Sequence, residues 1–337
     1  LEKKLLFGQT EQQYMRPQIS TIAAACLLLI PLSTSRCLSG DATFSNDGQR
    51  IYVIADIDDK SALEEIDIKG KTIRRISFAE FSALDSVRGI ACTQENRFYL
   101  TTDKALWALE PASGRTQKVR DAGPGESFWR VAYNSKMQKV FVTTDSEQSP
   151  LFMFADPKEW IAVRMRRHPF PSCLVFAKSG ELFFAAYGDL WHGEIQKGEF
   201  DGKTEYSVTA YRCAPLATLE TENSTPAEIG VRDIGVARDE IYLQLARMGG
   251  SGDGWFARLA RPIAKRLEEG SLDILYGPEH RLPVYQRSIS SLRILGDDYQ
   301  AGKIAVSPDE RRVHYVMHNK HWLVTDGKTE EMHLTQK

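Results

Sequence analysis

Six times along the chain, an apolar run, a short polar turn and a second apolar run follow one another. The pairs are "ATFSNDGQRIYVIA" from Ala42, "IACTQENRFYLTT" from Ile90, "VAYNSKMQKVFVTT" from Val131, "LVFAKSGELFFAA" from Leu174, "IGVARDEIYLQLA" from Ile234 and "IAVSPDERRVHYVM" from Ile304. Asn-Asp-Gly, Ser-Gly, Arg-Asp and Pro-Asp at the turns are hairpin residues, because Gly and Asn tolerate positive φ and Asp bonds its own backbone. The second runs are rich in Ile, Val, Tyr and Phe, which suit a pleated, packed surface. Self-similarity of this kind marks stacked copies of one supersecondary unit.

Each pair is followed by a third run: "ALEEIDI", "ALWALE", "LFMFAD", "DLWHGEI", "WFARLA" and "HWLVTD". A more polar fourth run comes next: "KTIRRISF", "RTQKVRD", "EWIAVRM", "TEYSVTAY", "SLDILYG" and "EEMHLTQ". The unit is therefore four antiparallel strands. Patterning decides how the units pack. The second runs are apolar at both parities, as in Ile51–Ala55 and Leu182–Ala186, so both of their faces must be covered. A two-sheet sandwich leaves one face wet, and a parallel α/β sheet needs crossover helices that are missing here. A ring of small sheets packed face to face satisfies the pattern. The expected fold is all-β, a β-propeller of four-stranded antiparallel blades. Six blades are read near residues 41–79, 87–122, 128–166, 171–212, 228–278 and 300–336. The stretch between Pro278 and Gly302 fits none of them, which leaves seven blades as the alternative. Each end carries a complete blade, so ring closure is expected from sheet-face packing and not from a strand exchanged between termini.

"VSPDERRVHYV", with its continuation "HWLVTDGKTEEMHL", resembles the SPDG-type blade of TolB-like, WD40-like propellers, and "TFSNDGQRIYV" resembles it too. The resemblance spans nearly everything after residue 40. It implies the propeller and no particular activity, since this fold carries binding proteins and enzymes alike.

Residues 1–36 are read as a leader and a signal or anchor segment. From Met15, Arg16 gives a thin positive region, and Ile19 to Leu32 give an apolar stretch ended by Pro31 and a Ser/Thr cluster. That is short for about 30 Å of hydrocarbon and suits a signal-peptide core. Cys37 follows as a candidate lipidation site, with Arg36 departing from the small residue a lipobox wants. Residues 37–337 form the propeller domain, expected outside the cytoplasm, with membrane anchoring only through the N-terminus. The five cysteines include no CxxC and no zinc spacing. Cys92 and Cys173 read as core thiols, with a Cys173–Cys213 disulfide as the alternative.

A formal net charge of −2 excludes a general nucleic-acid binder, which displaces counterions with a basic surface. There is no G-x-S-x-G elbow, dinucleotide loop, Walker loop or Asp box, and no cofactor is implied. "MGGSGDG" (248–254) reads as a hairpin tip. What remains is placed by geometry. Arg88, Arg130, Arg232 and Lys303 stand just before the first strands of four blades. There they would approach the channel mouth and receive a carboxylate or phosphate. The opposing reading pairs them with Asp41, Asp85 and Asp233. Asp103 and Asp145, in the second–third hairpins, share that face and read as turn residues. His314, His318 and His321 are weak transition-metal candidates, with His318 facing His321 across an Asn319-Lys320 tip. Without a carboxylate in register, a solvated hairpin with no metal is expected. His168, in "RRHPFP", is a lone junction histidine. The function expected is an exported binding module whose mouth face takes a protein partner or a small anionic ligand. The alternative is a lactonase-, lyase- or hydrolase-type enzyme with its site at that mouth.

Overall fold

The computed structural model describes residues 42–57, 60–77, 87–146, 151–156, 159–165, 171–186, 188–214, 229–247, 254–261, 292–297, 304–317 and 320–335. Among these residues the chain is all strand and turn. β1 (Ala42–Phe44), β2 (Arg50–Ile57), β3 (Lys60–Asp67) and β4 (Thr72–Ser77) form one sheet, paired in sequence order. β5 (Gly89–Cys92), β6 (Phe98–Thr101), β7 (Ala105–Glu110) and β8 (Arg115–Asp121) form another. The next set is β9 (Phe128–Asn134), β10 (Lys139–Thr144), β11 (Leu151–Asp156) and β12 (Glu159–Met165). It is followed by β13 (Cys173–Phe176), β14 (Leu182–Ala186), β15 (Asp189–Phe200) and β16 (Lys203–Ala214). Then come β17 (Ile229–Val236), β18 (Glu240–Arg247), β19 (Gly254–Ala260) and β20 (Leu292–Asp297). Last are β21 (Ala305–Val306), β22 (Arg312–Met317), β23 (Lys320–Thr325) and β24 (Lys328–Met332).

The pairings depart from expectation in two places. β20 supplies the fourth strand beside β19, from the stretch that fitted no unit. "SLDILYG" (271–277), expected in that role, lies outside the described residues. In addition, β9–β12 and β13–β16 are joined into one eight-stranded sheet, because β12 pairs parallel to β16 at Val163↔Tyr206 and Met165↔Val208. β15 and β16 run 12 residues each, long enough for β16 to meet its neighbour's outer edge. The joint covers two strand edges that would otherwise present unpaired backbone.

The first strands lie beside one another in a cycle: β1 against β5, β5 against β9, β9 against β13, β13 against β17, β17 against β21, and β21 against β1. The arrangement is a propeller-like array of small antiparallel sheets. Its core lies in the seams between sheets. From β2, Ile51 and Val53 pack with Ala305, Leu323 and Met332 of the last sheet. Tyr52 and Ile54 of the same strand pack the other way, with Ile90, Phe98 and Leu100. β14 divides alike: Leu182, Phe184 and Ala186 face β9–β12, and Phe183 and Ala185 face β17–β20. This two-sided burial is why the second strands are apolar at both parities. Gly235 of β17 marks how near neighbouring first strands come, since a Cβ there would stand 2.4 Å from Ile304 Cγ2. Between the first and last sheets, face packing is supplemented by backbone. Lys71 bridges Thr335 in parallel, with Thr72 N donating to Thr335 O at 3.2 Å.

The repeated turn is one hydrogen-bonded device. Ser45 Oγ donates to Asp47 Oδ1 at 2.5 Å and accepts from Arg50 N at 3.0 Å, while Asp47 accepts from Gln49 N at 2.9 Å. Ser307, Asp309, Arg311 and Arg312 repeat it at 2.5, 2.9 and 3.2 Å. These bonds hold the Asp47 carboxyl below its ordinary range. At Asp309 burial acts in the opposite sense, and the Ser307 hydroxyl and Arg311 N–H outweigh it. Replacing Ser45 or Ser307 by Ala is expected to cost about 1 kcal/mol each. Urea unfolding checks this, and the double variant should depart from the sum of the two losses, because Arg312 Nη1 of the second turn donates to Gly48 O of the first at 2.9 Å.

Candidate functional site

The first strands enclose a cavity of about 210 Å³, lined by residues from all six of them, including Phe44, Ala91, Val131, Leu174, Ile234 and Ala305. Most of its lining residues are apolar residues of the six inner strands. The polar side chains on the wall fall near the two ends of the strands. Arg130 and Asp233 stand at equivalent positions, just before Val131 of β9 and Ile234 of β17; Lys178, Ser307 and Glu310 stand in the turns where β13 and β21 end.

At the turn end the cavity is bridged. Glu310 Oε1 accepts from Lys178 N at 2.7 Å, and Glu310 O accepts from Arg238 N at 3.1 Å. The turn between β17 and β18 is short, closing with Ala237 N on Glu240 O. Glu310 therefore reaches past it to the β13–β14 turn. Arg261 ties the same corner together, pairing with Glu181 and lying 3.7 Å from Glu310.

The other end carries the expected cations. Arg88 pairs with Asp103, a residue of the second–third hairpin, so strand starts and these hairpins do share a face. The opposing sequence reading named Asp41, Asp85 and Asp233 as partners of these cations, and Asp41 and Asp85 lie outside the described residues. The Arg88 guanidinium also lies 4.7 Å from the centroid of the Trp129 ring. Arg130 Nη1 donates to Arg88 O, and Arg130 N donates to Thr143 Oγ1 at 3.0 Å. Ser127 N donates to Asp145 Oδ1 at 2.6 Å, fixing the next hairpin. Asp233 is buried, and its Oδ2 accepts from Ile304 N at 2.8 Å, a tie between β17 and the start of β21. Arg232 is the exposed residue at an irregularity of β17, between Val231 and Asp233, and is not part of the cavity wall. The structure thus brings Arg88 and Arg130 together and holds Arg232 apart. Lys303, Asp41, Asp85, His168 and Cys37 lie outside the described residues.

The histidines are not solvated. The register sets Met317 opposite Lys320 and Val316 opposite His321, where His318 was expected to face His321. His314 and His321 share the Leu323 face of their strands, toward the first sheet, and both are buried. His314 Nε2 and His321 Nδ1 are 2.9 Å apart. Burial, with the neighbouring imidazole acting in the same direction, pushes His314 well below its ordinary pKa. Among the described residues no three His, Cys, Asp or Glu side chains converge to hold a metal, and His318 lies outside them. Cys173 is buried, and burial pushes the Cys92 thiol up to about 12, so neither reads as a nucleophile.

No family model matches the chain, and no curated protein matches its sequence. Solved structures do resemble it. TolB from Acinetobacter baumannii aligns with a TM-score of 0.51 at 13% identity, over 84% of this chain and 63% of that one. An auxiliary nutrient binding protein from Bacteroides thetaiotaomicron aligns with 0.50 at 9% identity, over 88% and 70%. The RRP9 WD40 repeats align with 0.46 at 10% identity, over 83% and 87%. At these identities the likeness is one of fold, and the fold is a β-propeller.

Trp129 and Asp233 are the residues of this end that sequence reading passed over as ligands of the mouth. A signal for Trp129 exists in the repeat: it lies two residues before Val131, where two other copies have Arg88 before Ile90 and Arg232 before Ile234.

The imidazole pair gives a pH dependence of defined sign. The folded-state pKa of His314 lies below the unfolded value of about 6.5, so on acidification the unfolded chain binds the proton first. The stabilising contribution is full above about 6.5 and is lost as pH falls from there. Denaturant midpoints measured from pH 7.5 to 5 should fall, and His314→Leu should flatten that slope.

Proposed function

We propose that the chain is an exported, six-bladed propeller that works as an interaction module, binding an anionic group of its ligand or protein partner at the channel-mouth face. The observation that carries this is the placement of Arg130 on the cavity wall, bonded to the main chain of Arg88, at the end opposite the Glu310 bridge. The count of six divides the eight-stranded sheet at its single parallel pairing and follows the cycle of first strands. Arg88 is neutralised by Asp103 and serves chiefly to position; Arg130 and the exposed Arg232 are the cations assigned to the ligand, with Lys303 as the fourth. Cationic groups at a partly enclosed mouth attract anions more strongly than the same groups on an open surface. The extracytoplasmic location rests on the apolar segment after Met15 and remains part of this proposal.

Citrate is a suitable probe. Calorimetric titration should detect binding that weakens with salt and falls at least about tenfold in the Arg130→Ala/Arg232→Ala double variant without a fall in melting temperature. Unchanged citrate binding, or none by the wild type, overturns the anion site. If the double variant unfolds, Arg232→Glu alone, a surface change, carries the test. Mass spectrometry of the mature N-terminus tests export: a free terminus near Ser39–Asp41 is expected, and a lipidated Cys37 or an intact residue 15–36 segment contradicts simple cleavage.

A further inference from the structure

The seam between the first and last sheets differs from the others in what it buries. Of the five acids and histidines buried among the described residues, three face it. His314 and His321 look into it from β22 and β23, on the Leu323 face. Glu64 looks into it from β3, because it stands opposite Val53 of the same cluster. Glu65 faces the other side of β3, and Asp233 lines the channel. Arg75 Nε donates to Glu64 Oε1 at 2.6 Å, while Glu64 Oε2 is buried and accepts no hydrogen bond. The other charged groups on the two facing surfaces are Arg312, Lys328 and Glu330, at the rim of the last sheet. This is also the seam at which the chain does not pass from one sheet to the next. Besides its apolar cluster, it is held by Arg312 Nη1 donating to Gly48 O at 2.9 Å and by the bonds of Thr335 to Gly70 and Thr72.

We infer that this seam is an acid-sensitive latch, that the His314–His321 pair releases it, and that its opening breaks the wall of the channel cavity. Two imidazoles 2.9 Å apart share one hydrogen bond while both are neutral, one as donor and the other as acceptor. A proton added to the pair places net charge in a buried seam, and a second proton sets two cations against each other. The facing Glu64 carries a charge that Arg75 already matches. Admitting water relieves the seam. Where it opens, an imidazole regains its ordinary affinity, near pH 6.5. One such group shifts the opening equilibrium about thirtyfold toward the open form between pH 7.5 and 5. Opening is directed here because the first and last sheets can part without stretching a chain connection. β21 lies against β1, and the cavity is lined by Ala42–Phe44 on one side of that contact and by Ile304–Ser307 on the other. Parting them removes the wall, so a ligand held in the channel would leave in mild acid. This holds whatever the channel binds and does not rest on the anionic mouth.

Pulsed thiol labelling of the full chain tests this. Val53→Cys puts a probe in the seam, and Val142→Cys puts a reference in the seam between β5–β8 and β9–β12; both positions are buried. Dithiodipyridine reacts with thiols in mild acid, and mass spectrometry reads each probe apart from the native cysteines. The labelling rate of Val53→Cys relative to Val142→Cys should rise about thirtyfold between pH 7.5 and 5. The double variant His314→Leu/His321→Leu should abolish that rise. If it does not fold, His314→Gln/His321→Gln, a neutral pair able to keep the hydrogen bond, takes its place. No rise at either probe overturns the inference. An equal rise at both means that the chain unfolds as a whole; the latch then fails while the pH dependence of stability stands. A rise that survives loss of both imidazoles puts the trigger on Glu64 or the rim charges, and the inference fails.

Discussion

Face-to-face packing of neighbouring sheets is the constraint from which the other features follow. A four-stranded sheet of this length cannot bury its own faces, so each inner strand must be sandwiched between two neighbours. Phe98, Phe141, Phe184 and Phe256 are fully buried in this way, spread over three of the seams. Removing such a ring from water stabilises by roughly 1.5–3 kcal/mol. Because every sheet depends on both neighbours, the array stabilises only when it closes on itself. Closure brings six first strands to a common axis, and the cavity is the space that remains between them. The site is thus a by-product of the packing, lined mainly by residues of the six first strands.

The third strand of the first sheet is where packing and charge conflict. Glu64 and Glu65 are fully buried on opposite faces of β3. Glu65 is met by arginines from the strands on either side, Arg50 and Arg74, the latter at 2.5 Å, and Glu64 by Arg75 of β4 at 2.6 Å. The arginine stems cover the strand while their heads stay partly in water, so the carboxylates are desolvated with a partner in place. Burial, with the Glu65 charge beside it, pushes the Tyr52 hydroxyl up to about 12, which keeps it neutral in that seam. Removing one partner would strand a charge; replacing the whole cluster by apolar residues would not.

The architecture was legible because it is written in local chemistry and repeated. The Ser45 and Ser307 turns, the two-sided apolar strands and the polar outer runs each follow from bonds within a few residues. What was hidden depends on contacts distant in sequence. Glu64 and Glu65 read as ordinary polar residues until Arg50, Arg74 and Arg75 are seen beside them. His314 and His321 read as a wet hairpin because the cross-strand register differs by one residue from the expected one, setting Val316 opposite His321. The β12–β16 joint was hidden because parallel edge pairing leaves no turn signal. β20 was missed because an insertion separates it from β19, and repeat spacing cannot bridge an insertion. Of the mouth, the four cations were visible as a repeated position. Their inequality was not: Arg88 neutralised by Asp103, Arg130 at the wall, Arg232 displaced to an irregularity of β17.

That inequality bears on where function can reside. The turn device that builds the array also occupies one end of the channel. The bridging of that end follows from a single local difference, the short turn at Ala237–Glu240, which lets Glu310 span from one turn to the next but one. Serine, aspartate and main chain are committed there to holding strands in register, and a ligand entering from that side would have to displace hydrogen bonds the fold needs. At the opposite end the corresponding positions differ from copy to copy: Arg88-Gly89, Trp129-Arg130, Arg232-Asp233. Residues that vary within a repeat whose other positions are fixed by packing are not themselves fixed by packing. The mouth is therefore the end of the channel where side-chain identity is free to serve a partner.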